Sequence, residues 1–166
     1  MAATIKPFVI SRVFDAPRER VWKAWTEFDQ LKQWFSPKGF TVIAAKMDLR
    51  PGGTYHYGMR APDGLEVWGR FVYREVVKPE RLVWTNSFSD KDGGLATHPM
   101  NPSWPREMLT TVSLKDLGGK TEVTIEWIPV DGSTELEIGT FDKGRDSMKG
   151  GWTGTLDQFD GYLKKG

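Results

Sequence analysis

The closing stretch GRDSMKGGWTGTLDQFDGYLKKG, residues 144–166, carries two opposed signals. Met148, Trp152, Leu156, Phe159 and Leu163 recur at steps of four, four, three and four, the spacing that sets side chains along one face of a helix. Yet glycines sit throughout, and each one inside a helix costs roughly 1 kcal/mol relative to alanine. A helical wheel reconciles the two: Tyr162, Thr155, Met148, Phe159, Trp152, Leu163 and Leu156 share one arc, and Gly150, Gly154 and Gly161 lie almost opposite. The pattern predicts a long C-terminal helix, weak by propensity and held by burial of a wide aromatic face.

What covers that face is legible upstream. FVISRVF, residues 8–14, alternates as a strand does, with Phe8 and Ile10, and Val13 as a further candidate, towards the core. In DAPRERVWKAWTEFDQLKQWF, Pro17 suits a first helical position and Val21, Trp22, Trp25 and Phe28 recur on one face. Asp29 is a candidate cap for a second short helix carrying Leu31, Trp34 and Phe35, ended by Pro37 and Gly39. From residue 40 to 127 apolar and polar residues alternate between turn signals at Pro51-Gly52-Gly53, Pro62-Asp63-Gly64, Lys78-Pro79-Glu80 and Gly118-Gly119, the mark of successive antiparallel strands. Residues 89–107, dense in Gly, Pro, Asn and Asp, form a connection long enough to be a functional loop. Residues 128–140 are ambiguous, with a helix start near 134–138. The sheet is the natural cover for the final helix.

Composition narrows the function. The chain is 39% hydrophobic and 27% charged, with eight tryptophans in an aromatic share of 13%. Its net charge is +1 with basic and acidic residues interspersed, so it lacks the basic stripe that nucleic acid demands. Cysteine is absent, which removes disulfides, thiolate nucleophiles and zinc-thiolate sites. No run reaches the ~18 apolar residues of a membrane span, and the N-terminus has no secretory pattern. These features predict a cytoplasmic protein of one domain, residues 1–166.

The motifs FVISRVFDAPRERVWKAWTEFDQLKQWFSPKGF, DLRPGGTYHYGMRAPDG, the glycine of VWGRF, KPERLVW and GGWTGTLDQFDGYL resemble, in this order, the SRPBCC (START-like, Bet v 1-like) superfamily. Within it they are similar to the bacterial branch named for homology to the activator of Hsp90 ATPase. The resemblance implies an α+β helix-grip fold: a curved antiparallel sheet of about six to seven strands around a long C-terminal helix, with two short helices after the first strand. It also implies a cavity for a hydrophobic ligand between sheet and helix. It implies no single activity, because carriers, cyclases and co-chaperones share the fold.

The expected apolar lining comes from Met148, Trp152, Thr155, Leu156 and Phe159 of the helix and from Tyr55, Tyr57, Trp68, Phe71, Trp84, Met108 and Trp127 of the strands. Met100 and Trp104 of the long loop are expected near the mouth. Candidate polar pocket residues are His56, Glu66, His98 and Glu126. His56 points opposite to Tyr55 and Tyr57 in a strand, so only one of these sets can face the cavity. Arg70 and Arg106 are further charges within or beside strands. No nucleophile–base set, metal-ligand spacing or phosphate loop is present, so neither a catalytic residue nor a metal or other cofactor is assigned.

Three functions compete. The leading one is binding of a hydrophobic or amphipathic small molecule. The second is an enzyme of cyclase, aromatase or hydrolase type, which needs two titratable groups converging in the cavity. The third is an interaction protein like the Hsp90 co-chaperone, although no motif here carries a chaperone contact. The glycine-rich back of the final helix also leaves room for a homodimer.

Overall fold

The computed structural model describes residues 5–36, 39–96 and 101–165. Strand β1 (Phe8–Phe14) is followed by helices α1 (Arg18–Thr26) and α2 (Phe28–Trp34). Next come β2 (Thr41–Met47), β3 (Thr54–Arg60), β4 (Glu66–Val77), β5 (Arg81–Ser89), the two-residue β6 (Leu95–Ala96), β7 (Met108–Asp116) and β8 (Thr121–Pro129). Helices α3 (Glu135–Lys143) and α4 (Arg145–Lys164) close the chain.

Among the described residues these strands form one antiparallel sheet in the order β1-β8-β7-β5-β4-β3-β2, with β6 added beside the end of β5. The turns follow from the residues at them. Gly52 and Gly64 adopt φ of 85° and 92°, a left-handed conformation that costs a glycine nothing and other residues strain. Register shifts at Val42/Ala44 and Tyr73/Glu75 mark bulges, which bend a strand and so curve the sheet.

Helix α4 lies against the inner face of this sheet, so the architecture is the α+β helix grip. Arg12 of β1 pairs with Asp157 of α4 at 2.8 Å, and the Gln158 amide donates to the carbonyl oxygens of Trp34 and Ser36, which ties α4 to the end of α2. The aromatic face meets aromatic partners: Phe159 packs 4.8 Å from Phe14 and 4.3 Å from Trp34, centroid to centroid. A Cβ built at Gly150, Gly151, Gly154 or Gly161 would meet nothing within 4 Å. The glycines of α4 therefore lie off its packed face, and tertiary burial holds a helix that propensity alone would not.

Helix α3 resolves the ambiguous segment. Thr134 and Glu137 form a capping box, each side chain bonding the other's backbone N–H. Gly144 joins α3 to α4, and a Cβ there would lie 2.8 Å from the Trp104 ring, so its lack of a side chain lets the long loop pack against the joint.

Two local expectations need correction. Val13 is 48% exposed, because alternation puts it on the outer face with Val9. Asp29 lies inside α2, whose N-cap is Glu27. Within the connection after β5, Leu95 and Ala96 pair with Ser89 and Phe88.

Candidate functional site

The register arranges the inner face in rows. Tyr57, Gly69 and Phe88 form one; Tyr55, Phe71, Asn86 and Met108 the next; Tyr73, Trp84, Thr110 and Trp127 the third. Over these rows the end of α2 and the first half of α4 stand clear of the sheet and leave a cavity of about 470 Å³. This lies within the usual size range of small-molecule sites.

Its walls are aromatic. Phe71 stacks on Trp84 with centroids 4.5 Å apart and planes 11° from parallel, and Phe35 stands edge-on to Phe71 at 5.4 Å. Trp152 of α4 approaches Trp127 at 5.5 Å. From the helix the cavity receives Ser147, Met148, Gly151, Trp152 and Thr155, which lie on one flank because they repeat at helical spacing. Trp104 and Pro105 of the long loop complete the wall.

Of the expected lining residues, Tyr57, Phe71, Trp84, Trp104, Met108, Trp127, Met148, Trp152 and Thr155 border the cavity. Trp68 borders it too, yet its ring belongs to the opposite face of β4, stacked on His56 at 5.3 Å. Tyr55, Leu156 and Phe159 do not reach the cavity: each is fully buried in the packed core behind it. Met100 and His98 lie outside the described residues.

The other polar candidates are turned away. Inward Tyr55 and Tyr57 put His56 on the outer face, where its Nε2–H donates to the Asp90 carbonyl at 3.0 Å. Arg70 shares that face and donates to the Gly93 carbonyl, so the two side chains clasp the turn after β5. Glu66 is exposed and ion-paired with Arg60 at 3.2 Å, and exposed Glu126 sits beside Val9 and Thr111 on the outer face. Arg106 lies at the loop's end, its backbone N–H donating to Glu137 at 2.7 Å.

No Asp, Glu, His, Lys or Arg borders the cavity among the described residues. Its one titratable side chain among the described residues is Tyr57, whose phenol burial holds neutral by raising its pKa well above the usual value. Burial likewise pushes Tyr55 up to about 12. Nor do three His, Asp or Glu side chains converge as a metal site would require, among the described residues.

The polar groups that do face the cavity are neutral. Asn86 accepts a 2.5 Å hydrogen bond from the buried Thr110 hydroxyl, which leaves its amide hydrogens without a partner among the described residues. Behind the surface of the wall, the indole N–H groups of Trp84, Trp152 and Trp25 and the Tyr55 hydroxyl are buried without a partner among the described residues. Asn86 and Phe88 were missed in the sequence, although a step of two along the strand from Trp84 reaches both. Met59 follows from Tyr57 in the same way. Gly151 and Ser147 were missed because the cavity flank of α4 is rotated from its apolar centre line.

Comparison with known proteins agrees with this geometry. Protein Ms6760 of Mycobacterium smegmatis is 24% identical, with a TM-score of 0.75 over 97% of this chain and 96% of its own. Protein NE0264 of Nitrosomonas europaea is 25% identical, with a TM-score of 0.74 over 99% and 97%. A protein of Arthrobacter aurescens solved by NMR is 26% identical, with a TM-score of 0.76 over 96% and 87%. Comparison with the curated proteins finds no match. The sequence pattern of the family described as "Activator of Hsp90 ATPase homolog 1-like protein" matches residues 15–164. With the helix-grip fold in place, the chain belongs to that family, within the SRPBCC group.

Proposed function

We propose that the protein binds a hydrophobic or amphipathic small molecule between the sheet and α4. The observation that carries this reading is the aromatic cavity of about 470 Å³ itself. Transfer of an apolar guest from water to such walls is favourable by about 25 cal/mol per Å² of apolar surface removed. The fold family commonly binds hydrophobic ligands, which supports the same reading.

The placement of charges weighs against acid–base catalysis at this site. General acid–base chemistry needs titratable groups within hydrogen-bond reach of the substrate, and His56, Glu66 and Glu126 face away from the cavity. The family description names the Hsp90 ATPase, but a chaperone partner calls for an exposed contact surface rather than an internal hollow. Nor does this reading need a second copy of the chain.

An apolar, environment-sensitive dye tests the proposal. Saturable binding that small aromatic compounds reverse is the expected result. Gly151→Phe, which extends a ring from the helix flank into the hollow, should abolish it while the far-ultraviolet circular dichroism is retained. A folded wild-type protein that binds no apolar probe would overturn the proposal, and co-purification with Hsp90 would then favour the chaperone reading.

A further inference from the structure

Two polar groups of the cavity carry donor hydrogens with no partner among the described residues. The Asn86 amide is oriented by Thr110: the Thr110 side chain is fully buried, its hydroxyl donates to Asn86 Oδ1, and the Nδ2 hydrogens remain unused. Asn86 pairs with inward Phe71 and Met108, so it stands on the cavity face of the sheet. The Tyr57 hydroxyl, two strands away on the same face, also has no partner among the described residues. The indole N–H groups of Trp84 and Trp152 also lack an acceptor among the described residues, but they are buried within the wall and do not face the hollow. The wall thus offers two unused donors, beside the hydroxyls of Ser36, Ser147 and Thr155 that can donate or accept, and among the described residues it holds no charge.

We infer that the ligand is electrically neutral and carries hydrogen-bond acceptor oxygen, as a ketone or ester does, read by the Asn86 amide and the Tyr57 hydroxyl. The inference rests on the cavity-binding reading and specifies the guest's polar group. Among the described residues a carboxylate entering this space would find no counter-ion, because Arg60 is paired with Glu66 and Arg70 is turned to Gly93 on the outer face. A pure hydrocarbon would leave the donors unmatched. A neutral acceptor satisfies both conditions.

Three probes of one shape separate these cases: ethylnaphthalene, acetylnaphthalene and naphthoate, titrated against the full chain at neutral pH. The ketone should bind about three- to tenfold more tightly than the hydrocarbon, the range of one net neutral hydrogen bond, and at least tenfold more tightly than the carboxylate. A variant combining Tyr57→Phe, Asn86→Leu and Thr110→Val removes both donors without stranding the Thr110 hydroxyl. It should lose the preference for the ketone over the hydrocarbon, which is read as the ratio of the two affinities in the same variant. If that variant does not fold, the wild-type ranking and Tyr57→Phe alone still decide.

Naphthoate binding as tightly as the ketone would overturn the inference. So would a ketone preference that survives loss of both donors, or hydrocarbon and ketone binding equally to the wild type. Failure of all three probes, ethylnaphthalene included, would instead count against the cavity-binding reading beneath it.

Discussion

Trp68 lies across Gly58 on the outer face of the sheet, so close that a Cβ on Gly58 would stand 2.7 Å from its ring. One residue along, the inner face repeats the arrangement with strands exchanged: Tyr57 lies across Gly69, whose Cβ would stand 2.6 Å from the Tyr57 ring. Each aromatic residue pairs directly with the glycine that it covers. The two pairs occupy neighbouring positions of the β3–β4 ladder on opposite faces, Tyr57 inward and Trp68 stacked on His56 outside.

These pairs predict a split between stability and binding. Gly58→Ala and Gly69→Ala should each destabilise by about 1–3 kcal/mol, because a methyl group cannot enter without displacing a ring. Gly69→Ala displaces the inward Tyr57 ring, so it should shift probe affinity more than Gly58→Ala does. Chemical denaturation and dye titration on the same two variants check this, and equal binding effects would contradict the assignment of faces.

The glycines of α4 predict the opposite sign. Gly150 and Gly161 are exposed, with open space where a Cβ would go, so alanine there should stabilise by about 0.4–1 kcal/mol through loss of unfolded-state freedom. Thermal unfolding measures the gain. A loss of stability in both variants would mean that the back of α4 is covered.

Core and wall should separate by mutation. Phe159 is fully buried against Phe14, Trp25 and Trp34 and does not border the cavity, so Phe159→Ala should cost about 3–5 kcal/mol. Met148→Leu, a swap of similar volume at the cavity edge, should cost less than about 1.5 kcal/mol while altering probe affinity. Comparable stability loss in both variants would show that Met148 is core rather than wall.

Glu137 gives a pH-dependent prediction. Burial disfavours its charge, but hydrogen bonds from the backbone of Thr134 and Arg106 outweigh that and hold its carboxyl below the usual range. A lowered carboxyl pKa stabilises the fold above the unfolded-state value, and the contribution disappears as pH falls through the lowered folded-state value. Glu137→Gln should therefore destabilise near neutral pH, with the difference from wild type shrinking below about pH 4, near the ordinary pKa of a glutamate. Denaturation midpoints across this range check it, and a pH-independent difference would refute the electrostatic account.

Much of the fold was readable in the chain because its signals are local. Spacing put Met148, Trp152, Leu156 and Phe159 on one side of a helix, and Pro51-Gly52 and Pro62-Asp63-Gly64 marked turns, since φ freedom belongs to single residues. The site was readable only in part. Alternation within β3 correctly opposed His56 to the tyrosines, but it could not say that Tyr55 would be walled into the core while Tyr57 borders open space. Trp68 was placed with Phe71 although an odd step separates them, and the ladder put it on the far face.

By itself, then, the sequence determined the order of elements, the strand punctuation and the helix face that must be covered, because these depend on backbone preferences and periodicity along the chain. Only the tertiary structure decided which aromatic residues fill the core and which border a hollow. That difference arises where α4, α2 and the long loop diverge from the sheet, and separation between elements far apart in sequence leaves no periodic trace in any one of them.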